Sequence, residues 1–508
     1  MPAQHQTDGF IHRFIGFASS HPDAIAIQTL DDGRSCTYAA LHEMARQRCG
    51  LFHSLAQAQG SGQRVLLCLP SGIELVANYL AIVGAGLVPV LLNDKLTTAE
   101  FKELARASAP SMVVTTTALA VRHQASWPLL SELSALVTVD EGPCVPFAAP
   151  IQHVSLPSQR CEARDLSLPE LDDVVTIQFT YKGLGEPLGV AHRYGALSLS
   201  AAGLLKSMRP MGVGTVHLVG LPLCAVYGLV VLMVMPLSIG STMLITSTLS
   251  RRDIADVMAR HQVAFACLVP ELVRMLNHQL AERAARGDSP PALHPDLMLY
   301  SGGSRLAPDA AQELARRLPG HQVLQGYGMT ECLPVIVQSY VGPCKANTLG
   351  QAIPGVQLRV VDADEQDVPD GALGELWIGG PTVSAGYLNH PDANRQFFTD
   401  GWVKSGDLVI RDPEGHIHFL GMRLRITKVR SQMVDLAEVE QVAREWPNVR
   451  AARAHAERDA LGQTSISLSV VCDDADQEPL LKHLGERLSA HKLPRNIVVV
   501  TEALATAA

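Results

Sequence analysis

The chain has 508 residues, and 41 Lys and Arg against 50 Asp and Glu give it a formal net charge of −9. It is longer than one ordinary domain. Its dispersed basic residues argue against a nucleic-acid footprint, and ten cysteines without Cys-x-x-Cys spacing argue against a zinc site or a disulfide framework. The start, Met1-Pro2-Ala3-Gln4-His5-Gln6, carries neither a basic run nor an apolar core. No secretory signal is expected there, and a reduced, cytoplasmic setting fits.

Along the chain, the apolar runs Val65–Leu69, Met112–Val114 and Leu136–Val139 are predicted to be parallel strands between helices. Between the first two, Tyr79 to Val90 is a Gly/Ala-rich helix-to-strand turn. Residues 143–169, rich in Pro, Ser and Gln, read as a surface connection. Residues 218–245 carry no charge and are long enough for a membrane span, but Pro222, Gly228, Pro236 and Gly240 interrupt them, so no span is expected. Arg286 to Pro291 reads as a loop. There is no internal repeat and no low-complexity tract.

The most specific motif is Gln325-Gly326-Tyr327-Gly328-Met329-Thr330-Glu331. A tight, glycine-bounded loop of this kind points a flat ring, a hydroxyl and a carboxylate into one cleft. It is preceded by Ser301-Gly302-Gly303-Ser304-Arg305-Leu306 and followed by Glu375–Gly380, Gly386-Tyr387 and Trp402-Val403-Lys404-Ser405-Gly406-Asp407-Leu408. In this order, and over nearly the whole chain, the motifs resemble the adenylate-forming superfamily of acyl-CoA synthetases, peptide-synthetase adenylation domains and luciferases. The resemblance implies an α/β fold with a large N-terminal domain of mixed sheets flanked by helices (1–420) and a small, mobile α+β C-terminal subdomain (421–508). It implies that residues 218–245 form a buried helix followed by a buried strand. It also implies a nucleotide site at Gly302, Gly303, Ser304, Tyr327, Gly328, Thr330, Glu331 and Asp407. There Tyr327 would stack on adenine, Thr330 would bond the α-phosphate, and Glu331 would help hold Mg²⁺ if ATP is used. Asp407 would take both ribose hydroxyls, a task suited to two acceptor oxygens; a turn aspartate capping local amides is the plain alternative.

The departures cluster. Where relatives carry a small, hydroxylated phosphate loop ending in Gly-x-Pro-Lys-Gly, this chain reads Thr180-Tyr181-Lys182-Gly183-Leu184-Gly185-Glu186-Pro187-Leu188-Gly189. The Gly185, Pro187 and Gly189 skeleton remains. Leu188 takes the lysine position, Glu186 adds an anion that repels phosphate, and Tyr181 and Leu184 replace small residues. Cys224 and Ala225 stand where an aromatic and a histidine usually precede Tyr-Gly. At the expected hinge, Met422 replaces an arginine, Arg423 is a stand-in and Arg425 is the pivot. Relatives end in Leu-Pro-x-Thr-x-x-Gly-Lys; Thr506-Ala507-Ala508 resembles the start of that stretch without its lysine. One lost electrostatic donor costs ~10²–10³ in rate, so ATP-driven activation is expected to be lost while the adenine and ribose positions stay.

These readings lead to an acyltransferase that moves an acyl group between thioesters, from CoA to the pantetheine of an acyl carrier protein or another thiol, in natural-product biosynthesis. AMP is a possible further ligand. Such transfer needs a cleft, a pantetheine tunnel and help in deprotonating a thiol of pKa ~8.5. Cys224 is either a covalent way-station or a small hydrophobe; His192 is either a base or a satisfied turn histidine. One alternative is an Mg-ATP-dependent acid–thiol or acid–amine ligase using Lys182, Arg423 or Lys428 as substitutes. Another is a binding protein for AMP or an acyl group. Ala225, Tyr227, Leu229, Val230, Leu306 and Met329 are expected to line an apolar acyl pocket, suited to an aryl or medium aliphatic group. The run Arg423, Arg425, Lys428 and Arg430 either meets an acidic carrier or CoA phosphates, or is a solvated face.

Overall fold

The computed structural model describes residues 9–59, 63–142, 151–159, 161–342, 344–430, 432–447, 449–459, 463–472 and 477–500. The segments Met1–Gln6 and Thr506–Ala508, and the first part of the 143–169 connection, lie outside the described residues.

The fold is mixed α/β, with a large N-terminal part and a smaller C-terminal one. Among the described residues, a seven-stranded sheet has the parallel strands Arg64–Cys68, Val88–Leu92, Met112–Thr115 and Ala135–Thr138 at its centre. Successive side chains of a strand point to opposite faces. Val65 and Leu67 therefore enter the core between the large sheets, while Leu66 and Cys68 enter a second core on the outer face. Such two-sided burial is why these runs read as continuously apolar. The strand Gln152–Ser155 joins the edge of this sheet, parallel to Ala135–Thr138, so part of the expected surface connection is sheet. At the other edge, Val174–Thr180 and Leu188–Arg193 form an antiparallel pair, and the altered loop is the turn between them.

A nine-stranded sheet faces the first across the largest hydrophobic cluster. Its strands include Val216–Val219, Thr242–Ile245, Val263–Leu268, Met298–Ser301 and Val323–Met329, paired in parallel. The uncharged stretch 218–245 is a strand end, then a helical run from Val226 to Ile239 with a π-turn at Val230–Val234, then a buried strand. Among the described residues no helix is long and apolar enough to cross a membrane.

A third sheet contains Leu373–Gly379, Trp402–Arg411 and Ile417–Met422. Beyond it, the hairpin Ile426–Val429/Gln432–Asp435, the strands Val449–Arg458, Thr464–Cys472 and Asn496–Val499, and the helices Leu436–Arg444 and Gln477–Arg487 pack around a hydrophobic cluster of their own.

Candidate active site

One cavity of about 850 Å³ lies where the two large sheets, the third sheet and the C-terminal part meet. The strand Val323–Met329 runs to its rim and turns back into Leu333–Val337. Gly328 permits the turn, since a Cβ there would sit 2.4 Å from the Leu333 carbonyl oxygen. Gly303, Tyr327, Gly328, Thr330, Glu331 and Asp407 all line the cavity. Gly302 and Ser304 do not. Gly302 instead backs the wall: a Cβ there would come within 2.6 Å of the Tyr227 ring.

Asp407 sits on Trp402–Arg411, and its carboxylate Oδ2 accepts a hydrogen bond from the Tyr327 hydroxyl at 2.6 Å. Burial raises the Asp407 carboxyl above its ordinary range; Tyr327, Lys428 and Lys182 oppose that shift. Glu331, 1% exposed, accepts from the Tyr387 hydroxyl at 2.7 Å, and the Lys182 ammonium, 3% exposed, lies 3.4 Å from the same oxygen. Lys182 also donates to the Ser405 carbonyl at 3.1 Å and stands over the Phe397 ring. This lysine is thus a structural counter-ion. With Lys182 already neutralising Glu331 and Tyr327 bonded to Asp407, the residues present do not fit a protein-held Mg²⁺.

Of the altered loop, Thr180, Tyr181 and Lys182 reach the cavity and Gly183–Gly189 do not. Leu188, at the lysine position, is fully buried with Val190, Tyr387, Ala393 and Phe397. The Gly185 amide donates to the Asp435 carboxylate at 2.9 Å. Glu186 is half exposed, with His390 3.7 Å away. The C-terminal part therefore covers the loop and supplies its own anion to a loop amide.

Sequence reading missed the strongest link across this contact. Lys492 is 4% exposed and ion-pairs with Glu100 at 2.9 Å and Glu438 at 2.8 Å, and it donates to the Tyr181 hydroxyl at 3.3 Å. Glu100 also accepts from the Ser489 amide and hydroxyl. Two carboxylates thus share one ammonium. Glu100, with more donors, is lowered below its ordinary range; burial pushes Glu438 up to about 7, and its Oε2 has no hydrogen-bond partner. A buried lysine and glutamate so far apart in the chain leave no local pattern.

Lys428 and Met433 form a cross-strand pair of the C-terminal hairpin and both line the cavity. Burial lowers the Lys428 ammonium from its ordinary value, while Asp407 and Glu331 favour its charge. Arg423 and Arg425 do not line the cavity. Arg423 lies 3.3 Å from Glu375 in an exposed pair, and Arg425 clasps Glu440 at 3.1 and 2.5 Å.

At the apolar end, Ala225, Tyr227 and Met329 line the wall as expected, joined by Val231, Phe265 and Tyr300. Leu229, Val230 and Leu306 do not. Tyr227 and Val231, four residues apart, share one helix face, which turns Leu229 and Val230 into the core; Leu306 belongs to the cluster on the outer side of the nine-stranded sheet. Cys224 lines the cavity, but burial pushes its thiol up to about 12, and its carbonyl is held by Gln178 Nε2 at 2.6 Å. That thiol lacks the thiolate character of a nucleophile. His192 is fully buried on the strand Leu188–Arg193, away from the cavity wall, and burial pushes it down to about 3. The structure does not bring it into the site.

The family model for AMP-binding enzymes matches residues 16–388. A relative described as 4-coumarate–CoA ligase-like 6 from Arabidopsis thaliana is 24% identical over 496 residues, covering 94% of this chain and 85% of its own. The fold is similar to that of o-succinylbenzoate CoA synthetase from Bacillus subtilis, with 22% identity, a TM-score of 0.81 and coverage of 96% of this chain and 95% of that one. It is equally similar to the amide bond synthetase McbA from Marinactinospora thermotolerans, with 21% identity, a TM-score of 0.81 and coverage of 98% and 97%.

Proposed function

We propose, from the premise that this chain belongs to the AMP-binding enzyme family, that it transfers an acyl group between thioesters without hydrolysing ATP. The acyl donor is a CoA thioester and the acceptor a pantetheine thiol, that of a carrier protein above all. The observation that carries the reading is the Gly185 amide bonded to Asp435. An amide that relatives are expected to turn toward phosphate here holds the chain's own carboxylate, with Glu186 next in the chain.

Exchange between thioesters needs no phosphoanhydride. One C–S bond forms as another breaks, and the proton lost by the incoming thiol ends on the departing one. Negative charge builds on the carbonyl oxygen, and Lys428, one of the cations lining the cavity, is suited to meet it. The apolar wall around Tyr227, Val231 and Phe265 suits an aryl or medium aliphatic acyl chain.

A second reading, an ATP-dependent acyl-CoA ligase, is favoured by Tyr327 and Asp407 standing together at the cavity and by Lys428 acting on Asp407.

Intact-mass analysis of a carrier protein separates the two. One mixture holds acyl-CoAs without ATP, and the other the matching acids with MgATP and CoA. Acylation in the first alone is the expected result; acylation in the second alone establishes the ligase.

A further inference from the structure

Away from the cavity, among the described residues, one cluster of side chains has the chemistry of a metal-ion site. It forms where the strand Trp402–Arg411 turns back into Ile417–Met422. The turn is tight: the Asp412 carbonyl accepts from the Gly415 amide at 2.9 Å, and Gly415 has a φ of 85°. It gathers Asp412, Glu414 and His416, whose donor atoms lie within 4.8 Å of one another. His418 follows two residues after His416, which puts both rings on one face, and its Nε2 is 3.1 Å from Asp412 Oδ2.

The turn is more than acidic. His416 is 5% exposed, yet neither of its ring nitrogens has a hydrogen-bond partner. Leaving such a group buried and unpaired costs free energy. Its Nδ1 stands 3.5 Å from Asp412 Oδ1, an oxygen already fixed by the His416 amide at 2.8 Å. A cation also stands between the two carboxylates, since Lys345 Nζ is 2.7 Å from Asp412 and 3.0 Å from Glu414. That side chain is 44% exposed, so it can swing into water without burying its charge.

The geometry points to a Zn²⁺ site in which Asp412, Glu414, His416 and His418 hold the ion and Lys345 is its displaceable stand-in. Two imidazoles and two carboxylates are ligands that zinc takes, four at a time, whereas Mg²⁺ and Ca²⁺ prefer oxygen alone. The charges agree: two carboxylates exceed one ammonium and balance one divalent ion. The ion gives the idle His416 nitrogen a partner. No thiolate takes part, so cysteine spacing does not announce the site. None of the four residues lines the cavity, and four protein ligands leave no open position for a substrate, so the ion is structural. It ties one end of the hairpin that pairs Asp407 with Met422 further along.

The full chain, without a tag and stripped by a chelator, is titrated with Co²⁺, whose visible bands are intense in a tetrahedral site, and the Co²⁺ is then displaced with Zn²⁺. One equivalent should bind. Zn²⁺ affinity should fall more than about tenfold in His418→Gln and in Glu414→Gln, and rise in Lys345→Met, where no ammonium competes. Without metal, Lys345→Met should melt below the parent protein, and Zn²⁺ should restore it. Absence of the intense bands, Zn²⁺ affinity unchanged by His418→Gln, or Mg²⁺ or Ca²⁺ binding as tightly as Zn²⁺ overturns the inference and leaves an ion-paired turn. Equal Zn²⁺ affinity in Lys345→Met and the parent also overturns it, because the ammonium then does not share the site.

Discussion

The hydroxyl of Tyr327 donates to the carboxylate of Asp407 across 80 residues of chain, at 2.6 Å. The aromatic and the acid expected to hold adenine and ribose therefore hold each other, fixing both before a ligand arrives. Replacing Asp407 by Asn keeps an acceptor for the tyrosine and removes the charge. A hydrogen bond to a charged group contributes about 1.5–3 kcal/mol, so AMP binding should weaken by roughly ten- to a hundredfold with little change in melting temperature. Calorimetry checks this; unchanged affinity in the variant means the ribose is held elsewhere.

Lys182→Met should be severe for stability alone. It strands Glu331, 1% exposed, beside an apolar neighbour, and removing one partner of a buried pair costs about 3–5 kcal/mol. The double variant Lys182→Met/Glu331→Gln should recover much of that loss, because the Tyr387 hydroxyl retains an acceptor. Urea denaturation of both variants measures the difference; equal losses would show that the pair is not coupled.

Cys224→Ala should keep the transfer rate of the parent protein, and no acyl adduct should appear on the parent's Cys224 by peptide mass. The reason is a thiol held near pKa 12 by burial. A rate collapse in the variant, or an adduct in the parent, would return the thiol to the mechanism.

Lys428→Met should slow acyl transfer by ~10²-fold while leaving the fold intact, since the lysine faces the cavity and not the subdomain core. Single-turnover rates with the two proteins test this, and parity between them would assign the charge stabilisation to another group.

The docked C-terminal part should loosen as pH rises. Glu438 is held at about 7 in the docked arrangement against an ordinary 4.5, so the docked form binds the proton more tightly. Its contribution to docking is therefore strongest at low pH and weakens as pH climbs from the ordinary value through about 7. His491, beside Lys492 and pushed down to about 4 by burial, opposes part of this as it loses its proton near its ordinary value, so between pH 6 and 8.5 the open fraction should grow about twofold, and Glu438→Gln should leave only the opposing trend. Hydrogen exchange at residues 180–189, corrected for intrinsic rates, reports it; a parent profile matching that of Glu438→Gln would show that Glu438 stays charged when docked.

Much of the frame was legible because it is periodic or glycine-marked. The parallel strands at Val65, Met112 and Leu136 announced themselves as apolar runs, and Gln325–Glu331 announced a tight turn that the structure places at a cavity. What was not legible depends on which way a helix faces or on what returns from far away. Leu229 and Val230 look as suitable for a pocket as Tyr227 and Val231, and only packing decides between them. His192 reads as polar and lies in the sheet core. Lys492, Glu100 and Glu438 are unremarkable residues until three separate elements meet.

The bond between Ser489 and Glu100 spans 389 residues, and this has a consequence for biosynthesis. A ribosome delivers Glu100 early and its partners only near the end. The large sheets form while that carboxylate still faces water, for domains fold as they emerge. The loop at 180–189 is uncovered throughout that interval and is closed by the last elements to appear. Maturation of this protein thus ends with an internal docking step, and a chain stopped before residue 426 would keep its two large sheets but lack Asp435 and Lys492, which tie the C-terminal part to the loop and to Glu100.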